Sequence, residues 1–275
     1  MVTSRTNYAS EAVSAAKCVL IEVMHILGDY RDEIILVGGW VPELLFVNST
    51  IPHVGSTDVD ILINHNEIDQ SGYRTIKKLL IDRDYIQSKD QPFTFYRHVK
   101  IRKQKVIKVQ VDFLAGEYQG TGKNRRTQVV QDIRPRKVRG GDFAFSCTKK
   151  LTVKGKLPSG ANDQIILNVI TLPAFIVMKG IALKDRIKEK DAWDIYYCLL
   201  QFNDQLEKFS NQFKHLLGNT IVRESLNNLR EAFLTIDAIG PTMIADFEEV
   251  EGEERAFIKR DSFERMNRFL SFIEH

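Results

Sequence analysis

The sequence predicts an α+β chain, with a mixed β-sheet flanked by helices in the N-terminal part and an all-α C-terminal part. Three observations predict it. Short apolar or alternating runs, punctuated by Gly, Pro and Asn, recur between residues 33 and 170. Beyond Thr171 the apolar period lengthens to that of helices and stays there. A length of 275 residues, 43% apolar and 27% charged, is enough for one large core or two smaller ones. The expected division is 1–160 and 161–275, with the change of character falling at 158–171.

Ala9 to Leu27 carries Ala12, Ala16, Val19, Val23 and Ile26 on one helical face. Glu33 to Val37 is a short buried strand that ends at Gly38-Gly39, and a helix over Trp40 to Val47 begins at once. Asn48 to Gly55 is a loop containing Pro52. Asp58 to Ile63 alternates carboxylate and apolar residues, as a strand lining a site on one face would. Glu67 to Asp82 is predicted helical. Phe93 to Ile101 and Lys105 to Leu114 are two strands joined by a basic turn, with Val109, Val111 and Phe113 on one face and Lys108, Gln110 and Asp112 on the other. Shorter strands follow at Asp142 to Ser146, Lys149 to Lys154 and Gln164 to Ile170, with a Gly/Pro-rich turn at Gly155 to Gly160. Thr171 then caps the first of five helices, at 172–186, 190–202, 204–217, 221–236 and 260–274, with Pro173 in its first turn.

Composition narrows the classes. No apolar run approaches the ~20 residues that span a bilayer, and Met1 to Ser10 lacks the apolar core of a signal peptide. A cytoplasmic protein is expected. Cys18, Cys147 and Cys198 are odd in number and scattered, which suits neither a disulfide framework nor a CxxC metal site. All three are expected in the core. The net charge is +3 but uneven: Arg97 to Arg139 holds thirteen Lys/Arg against Asp112, Glu117 and Asp132. Such an excess suits a polyanionic partner, and also a solvated strand face. Asp246 to Glu254 has six acids in nine residues and reads as an exposed turn.

The chemistry centres on three acids. Asp58 and Asp60, two apart on a strand, project from one face, and Asp112 lies on the polar face of another strand. Carboxylates converging from two strands can hold one or two Mg²⁺, which prefer hard oxygen ligands. Two such ions about 4 Å apart can bridge an attacking oxygen and a leaving phosphate. An Asp-x-Asp pair alone is more often structural, but its setting differs here. Gly38-Gly39 lets backbone approach a ligand closely, and the following helix start offers N–H groups to phosphate. Gly55-Ser56-Thr57 adds backbone donors and two hydroxyls. Together these supply a triphosphate cradle beside a metal site.

Val37-Gly-Gly-Trp-Val-Pro-Glu-Leu-Leu45 followed by Gly55-Ser-Thr-Asp-Val-Asp-Ile-Leu62 resembles the signature of the polymerase-β-type nucleotidyltransferase superfamily. In that signature a glycine pair precedes a short helix and an Asp-x-Asp strand, and a third acid follows, as Asp112 does in Lys108-Val-Gln-Val-Asp-Phe113. The first stretch also resembles tRNA nucleotidyltransferases, although Pro42-Glu43 stands where they carry Arg-Asp and the loop before the acids is longer. Met178-Lys-Gly-Ile-Ala-Leu-Lys-Asp-Arg186 with Lys190-Asp-Ala-Trp-Asp-Ile-Tyr196 is similar to helical motifs of the AbiEii-type abortive-infection toxins. The resemblance covers most of residues 30–200.

The resemblance implies Asp58, Asp60 and Asp112 as metal ligands and catalytic groups. It implies Gly38, Gly39, Ser56, Thr57, Lys179 and Lys190 as nucleotide contacts, and Asp191 and Asp194 as groups that position the lysines or a base. It implies an NTP substrate (ATP among the candidates), one or two Mg²⁺, RNA (the 3′ end of a tRNA) as acceptor, and an antitoxin partner. Arg97, Arg102, Lys103 and Lys105 are the basic residues best placed for RNA. Alternatives are a small-molecule acceptor, as for antibiotic nucleotidyltransferases, protein AMPylation, and a non-catalytic RNA-binding module. Asp191 and Asp194, three apart, share a helix face, and beside Arg186 the motif could equally be a surface salt-bridge ladder. Trp193, Tyr196 and Tyr197 read as helix-packing core. His53 and His65 flank the acid strand and are weaker candidates for a base.

Overall fold

The computed structural model describes residues 4–64, 67, 68, 75–101, 105–117, 130 and 132–274. The chain divides into two compact units. One comprises Tyr8–Leu44 and Val54–Thr171; the other comprises the N-terminal segment to Asn7, Leu45–His53 and Leu172–His275.

The first unit is built on one mixed sheet. Its strands are β1 (Ile34–Val37), β2 (Asp58–Ile63), β3 (Ile86–Gln87), β4 (Thr94–Lys100), β5 (Val106–Gly116), β6 (Arg136–Val138), β7 (Thr148–Lys156) and β8 (Asn162–Ile170). The order is β3-β4-β5-β2-β1-β8-β7, with β6 joined to the C-terminal end of β5. β2 and β5 are parallel neighbours, as are β1 and β8, while β1–β2, β4–β5 and β7–β8 are antiparallel. Val59, Ile61, Ile63, Val111, Phe113 and Ala115, alternate residues of the two central strands, have no exposed surface. Helix α1 (Ser10–Ile26) lies against β2, β5, β7 and β8. The intervening residues Asp58, Asp60 and Asp112 therefore project from the other face.

Helices α2 (Trp40–Leu45), α3 (Ile76–Ile81) and α4 (Gly141–Phe145) are short. Asp142 to Ser146, expected as a strand, is the helix α4. Gly140 turns the chain there at φ 80°, and Gly141 comes so close to Gly116 that a Cβ would overlap its backbone. A five-residue apolar alternation fits one helical turn as well as a strand, and the glycine contact decides. Of the expected Glu67–Asp82 helix, the described residues show Ile76–Ile81, N-capped by Thr75.

The second unit is helical: α5 (Leu172–Asp185), α6 (Glu189–Leu200), α7 (Leu206–Lys214), α8 (Thr220–Ala232), α9 (Ile239–Glu248) and α10 (Gly252–Glu274). α5 packs on α6 and α8, α6 on α9 and α10, and α10 on α7 and α9. Helix α9 is a correction to the expected pattern. Gly240 and Pro241 hide it in the sequence, yet both fall in its first turn, where Pro is tolerated. Gly240 also lies against the Phe233 ring, leaving no room for a side chain. The acidic stretch from Asp246 is not simply a turn: it forms the end of α9, a reversal at Glu249 (φ 59°) and the first turn of α10. The last helix accordingly starts at Gly252 rather than 260.

Cys198 is buried, whereas Cys18 and Cys147 are only half-buried, and all three are free. Among the described residues no helix is long and apolar enough to cross a membrane.

Candidate active site

In the sheet unit, the parallel register pairs Asp60 of β2 directly with Asp112 of β5, and Asp58 with Gln110. Registered neighbours stand about 5 Å apart on the same side of a sheet. The three acids expected from the sequence thus share one face of two adjacent strands. Trp40 Nε1 donates to the Asp58 carbonyl at 2.7 Å and fixes the start of β2. The Ser56 hydroxyl donates to Asp58 Oδ1 at 2.5 Å. Ser56, expected to meet a phosphate, is buried and holds the acid beside it.

Asp112 is mostly buried. Its Oδ1 accepts from the Thr94 hydroxyl at 2.6 Å and its Oδ2 from Gln110 Nε2 at 2.9 Å. Burial pushes its pKa above the ordinary carboxylate value against these two donors and the nearby Arg136 charge, and the Asp58 charge adds to the rise. Gly38 turns the chain at φ 76° between β1 and α2, and Gly39 follows it. A Cβ on Gly38 would run into the Asp60 carboxylate. The glycine is therefore required on two counts, its backbone angle and the close approach. Helix α2 has six residues, so the anchoring here comes from the glycine turn more than from a helix dipole. Thr57 is half-buried immediately before β2.

Among the described residues no three His, Cys, Asp or Glu side chains form a ready-made metal cage. The donor set nonetheless suits a hard divalent ion: three carboxylates on one face, two in direct register, with one destabilised by the charge of another. Each oxygen of Asp112 carries one hydrogen bond and retains a lone pair. Asp58, Asp60 and Asp112 are the residues that would hold such an ion.

No protein-family model matches the chain, and no curated protein is a significant match. A crystal structure described as a "putative nucleotidyltransferase from H. pylori" is similar over 94% of this chain and 98% of that one, at 14% identity and a TM-score of 0.40. So remote a likeness decides nothing about chemistry, and the functional reading rests on the residues themselves.

The helical unit contains a separate cluster of buried charge. Asp191 and Asp194, on the inner face of α6, have no exposed surface. Lys179 of α5 reaches Asp191 Oδ1 at 2.5 Å and Asp194 Oδ2 at 2.7 Å. Lys190 reaches Asp194 Oδ1 at 2.6 Å, and Arg186 forks onto both oxygens of Asp191 at 2.9 and 3.3 Å. This burial rules out the surface ladder as a reading of the motif.

Burial opposes every charge in the cluster, and the partners decide which survive. Lys179 has two carboxylates, which outweigh burial and raise its pKa. Burial lowers the pKa of Lys190 against the opposing pull of Asp194, and the Lys179 charge lowers it further. Burial would raise both acids, but Lys179 with Arg186 holds Asp191 low, and Lys179 with Lys190 holds Asp194 well below the carboxylate range.

His53, from the segment Leu45–His53 of the same unit, completes the cluster. Its Nε2 lies 3.0 Å from Asp194 Oδ1, and its ring packs against Trp193 and Tyr197. Tyr197 Oη in turn donates to the Ile51 carbonyl at 2.8 Å. Burial first, then the Lys190 charge, lower the His53 pKa to about 4. Neutral His53 then donates from Nε2 to the ionised Asp194. Nothing in the sequence pointed to His53 as their partner, because the loop histidine and the α6 motif are 141 positions apart. His65 lies outside the described residues. Trp193, Tyr196 and Tyr197 are buried, as core residues should be.

Of the basic residues expected at RNA, Arg97 is taken up within the fold. Its guanidinium forks onto Glu22 of α1 at 2.8 and 3.2 Å and lies over the Tyr85 ring. Lys105 makes an exposed pair with Glu11 at 2.7 Å, of a kind that contributes little to stability. Arg102 and Lys103 lie outside the described residues.

Proposed function

We propose that the chain is a metal-dependent nucleotidyltransferase acting on an NTP, with RNA, at the 3′ end of a tRNA, as acceptor. The observation that carries the reading is the direct register of Asp60 with Asp112, with Asp58 on the same face and the Gly38 turn against Asp60. Asp58, Asp60 and Asp112 would hold Mg²⁺, which supplies neutralisation of phosphate charge and a lowered pKa for the attacking hydroxyl. The Gly38-Gly39 turn receives the triphosphate. The acceptor oxygen attacks the α-phosphorus, the bond from that phosphorus to the bridging oxygen breaks, and pyrophosphate leaves. The hydroxyl proton passes to Asp112 or to water. Positioning and charge neutralisation supply most of the rate.

The resemblance of the α5–α6 motifs to toxin nucleotidyltransferases supports a growth-inhibiting role with an antitoxin partner. Lys179 and Lys190, which that resemblance implies as nucleotide contacts, are held by Asp191 and Asp194.

The test is incubation of the protein with each labelled NTP, Mg²⁺ and either total tRNA or lysate protein. Label on tRNA that disappears with Asp58→Ala/Asp60→Ala supports the reading. Label on protein replaces the acceptor with a polypeptide, and labelling unchanged by the double substitution removes the proposed site.

A further inference from the structure

Arg136 has entered so far only as a charge near Asp112, and its surroundings are unusual. It begins β6, where it pairs with Leu114 of β5 in parallel register. Leu114 is two residues beyond Asp112, so Arg136 projects from the face that carries the three acids. Its charge acts on Asp112. Its guanidinium carbon stands 5.5 Å from the centre of the Phe93 ring. Its Nε is buried and has no hydrogen-bond partner among the described residues. A buried guanidinium donor without an acceptor is uncommon, because desolvation of such a group is costly. A guanidinium held over an aromatic ring by cation–π attraction makes no hydrogen bond to it and keeps its N–H groups for an oxyanion.

The sheet order gives that oxyanion a side. Gly38 ends β1, Asp60 lies on β2 and Asp112 on β5; Thr94 of β4, next to Phe93, pairs with Asp112 across from β2. Going across the face, the glycine turn flanks the acids on one side, and Phe93 with Arg136 flanks them on the other. In an in-line transfer the leaving pyrophosphate and the attacking hydroxyl occupy opposite sides of the reacting phosphorus. If the glycine turn takes the triphosphate, Arg136 is on the side of the acceptor. The flanking sequence suits an acceptor with repeated phosphates: Arg134, Arg136, Lys137 and Arg139 are four basic residues in six, with no acid among them.

We propose that Arg136, braced by Phe93, binds a backbone phosphate of a single-stranded RNA acceptor and so sets its terminal hydroxyl beside Asp112. The inference rests on the nucleotidyltransferase reading for the orientation of the strand, but not for the binding itself. The phosphate could instead belong to the NTP, and the two sources separate by experiment. Binding of a short single-stranded RNA carrying a 5′ fluorescein is followed by anisotropy as a function of salt, and binding of α,β-methylene-ATP by calorimetry.

Arg136→Gln should weaken RNA binding about tenfold and reduce the log–log salt slope by about 0.7, one phosphate contact on a single strand. It should leave the nucleotide analogue within about twofold. Arg136→Lys keeps the charge but not the fork, so it should retain the salt slope and still lose severalfold in RNA affinity. Loss of the analogue with RNA unchanged assigns Arg136 to the NTP and overturns the proposal. Unchanged RNA binding in both variants reduces Arg136 to an internal counter-charge for Asp112. If Arg136→Gln fails to fold by circular dichroism, Arg136→Lys decides alone, and full RNA affinity in it is again a refutation. Should the wild type bind RNA through Arg136 yet transfer no label from any NTP, it is the nucleotidyltransferase reading that fails and the phosphate contact that stands.

Discussion

The backbone of Gly38 packs against the side chain of Asp60 so closely that a Cβ at Gly38 would stand 3.0 Å from Asp60 Cγ and 3.1 Å from its Cβ, overlapping the carboxylate. The same glycine has φ 76°, where an L side chain is strained by about 1–2 kcal/mol. Gly38→Ala should therefore cost modest stability but displace Asp60 from the face it shares with Asp112. Nucleotidyl transfer should fall to the level of Asp60→Ala, with the melting temperature lowered only a few degrees. Full transfer activity in Gly38→Ala would show that Asp60 is not placed by the turn.

Thr94 has no exposed surface, and its hydroxyl donates to Asp112. Thr94→Val keeps the shape and removes the donor. A hydrogen bond to a charged group is worth roughly 2 kcal/mol, and part of that should appear as lost stability. Thr94 acts through Asp112, so it is a positioning residue. Transfer should fall about tenfold in kcat with KM for the NTP little changed, an interaction of about 1.4 kcal/mol. A rise in KM alone would place Thr94 on the nucleotide instead.

Much of this site was legible in the sequence because it is local. Period-two alternation put Asp58 with Asp60 and set Asp112 opposite Val111 and Phe113, and both assignments depend on near neighbours alone. The parallel pairing of β2 with β5 depends on strand order, which alternation does not encode. α4 was missed for the same reason, because Gly141 meets Gly116 across 25 positions, while α9 was hidden by Gly240, a helix-breaking residue that the nearby Phe233 ring requires. The network around Asp194 was half legible. Lys190 is one turn away on the same helix, but His53 arrives from a distant loop and Arg97, read as a surface base, meets Glu22 across 75 positions.

Asp194 meets two ammonium charges, Lys179 and Lys190, and accepts a hydrogen bond from the His53 ring. Removing its charge leaves two buried ammonium groups under-compensated. Asp194→Asn should cost about 3–5 kcal/mol in urea unfolding at neutral pH. The double variant Asp194→Asn with Lys190→Met, which removes a lysine along with the carboxylate, should recover part of the loss. Additive losses in the double-mutant cycle would refute the coupling.

The pH dependence of stability isolates His53. Its pKa is lowered to about 4 in the fold, first by burial and then by Lys190, while Asp194 pulls the other way and Lys179 adds a smaller push. In the unfolded chain it titrates at its ordinary value of about 6.5. The unfolded state therefore binds the proton first as pH falls. The stability contributed by neutral His53 is complete above about pH 6.5, declines as pH falls from there to about 4, and amounts to about 3 kcal/mol over that window. Asp191 and Asp194 are held low and release their own contribution only below it. His53→Gln keeps a donor for Asp194 but does not titrate. It should be less stable than the wild type at pH 7.5, and the two urea midpoints should converge as pH approaches 4. Curves that stay parallel from pH 7.5 to 4 would mean that His53 titrates alike in the folded and unfolded protein, and a wild-type advantage that grows as pH falls would mean a charged His53 paired with Asp194.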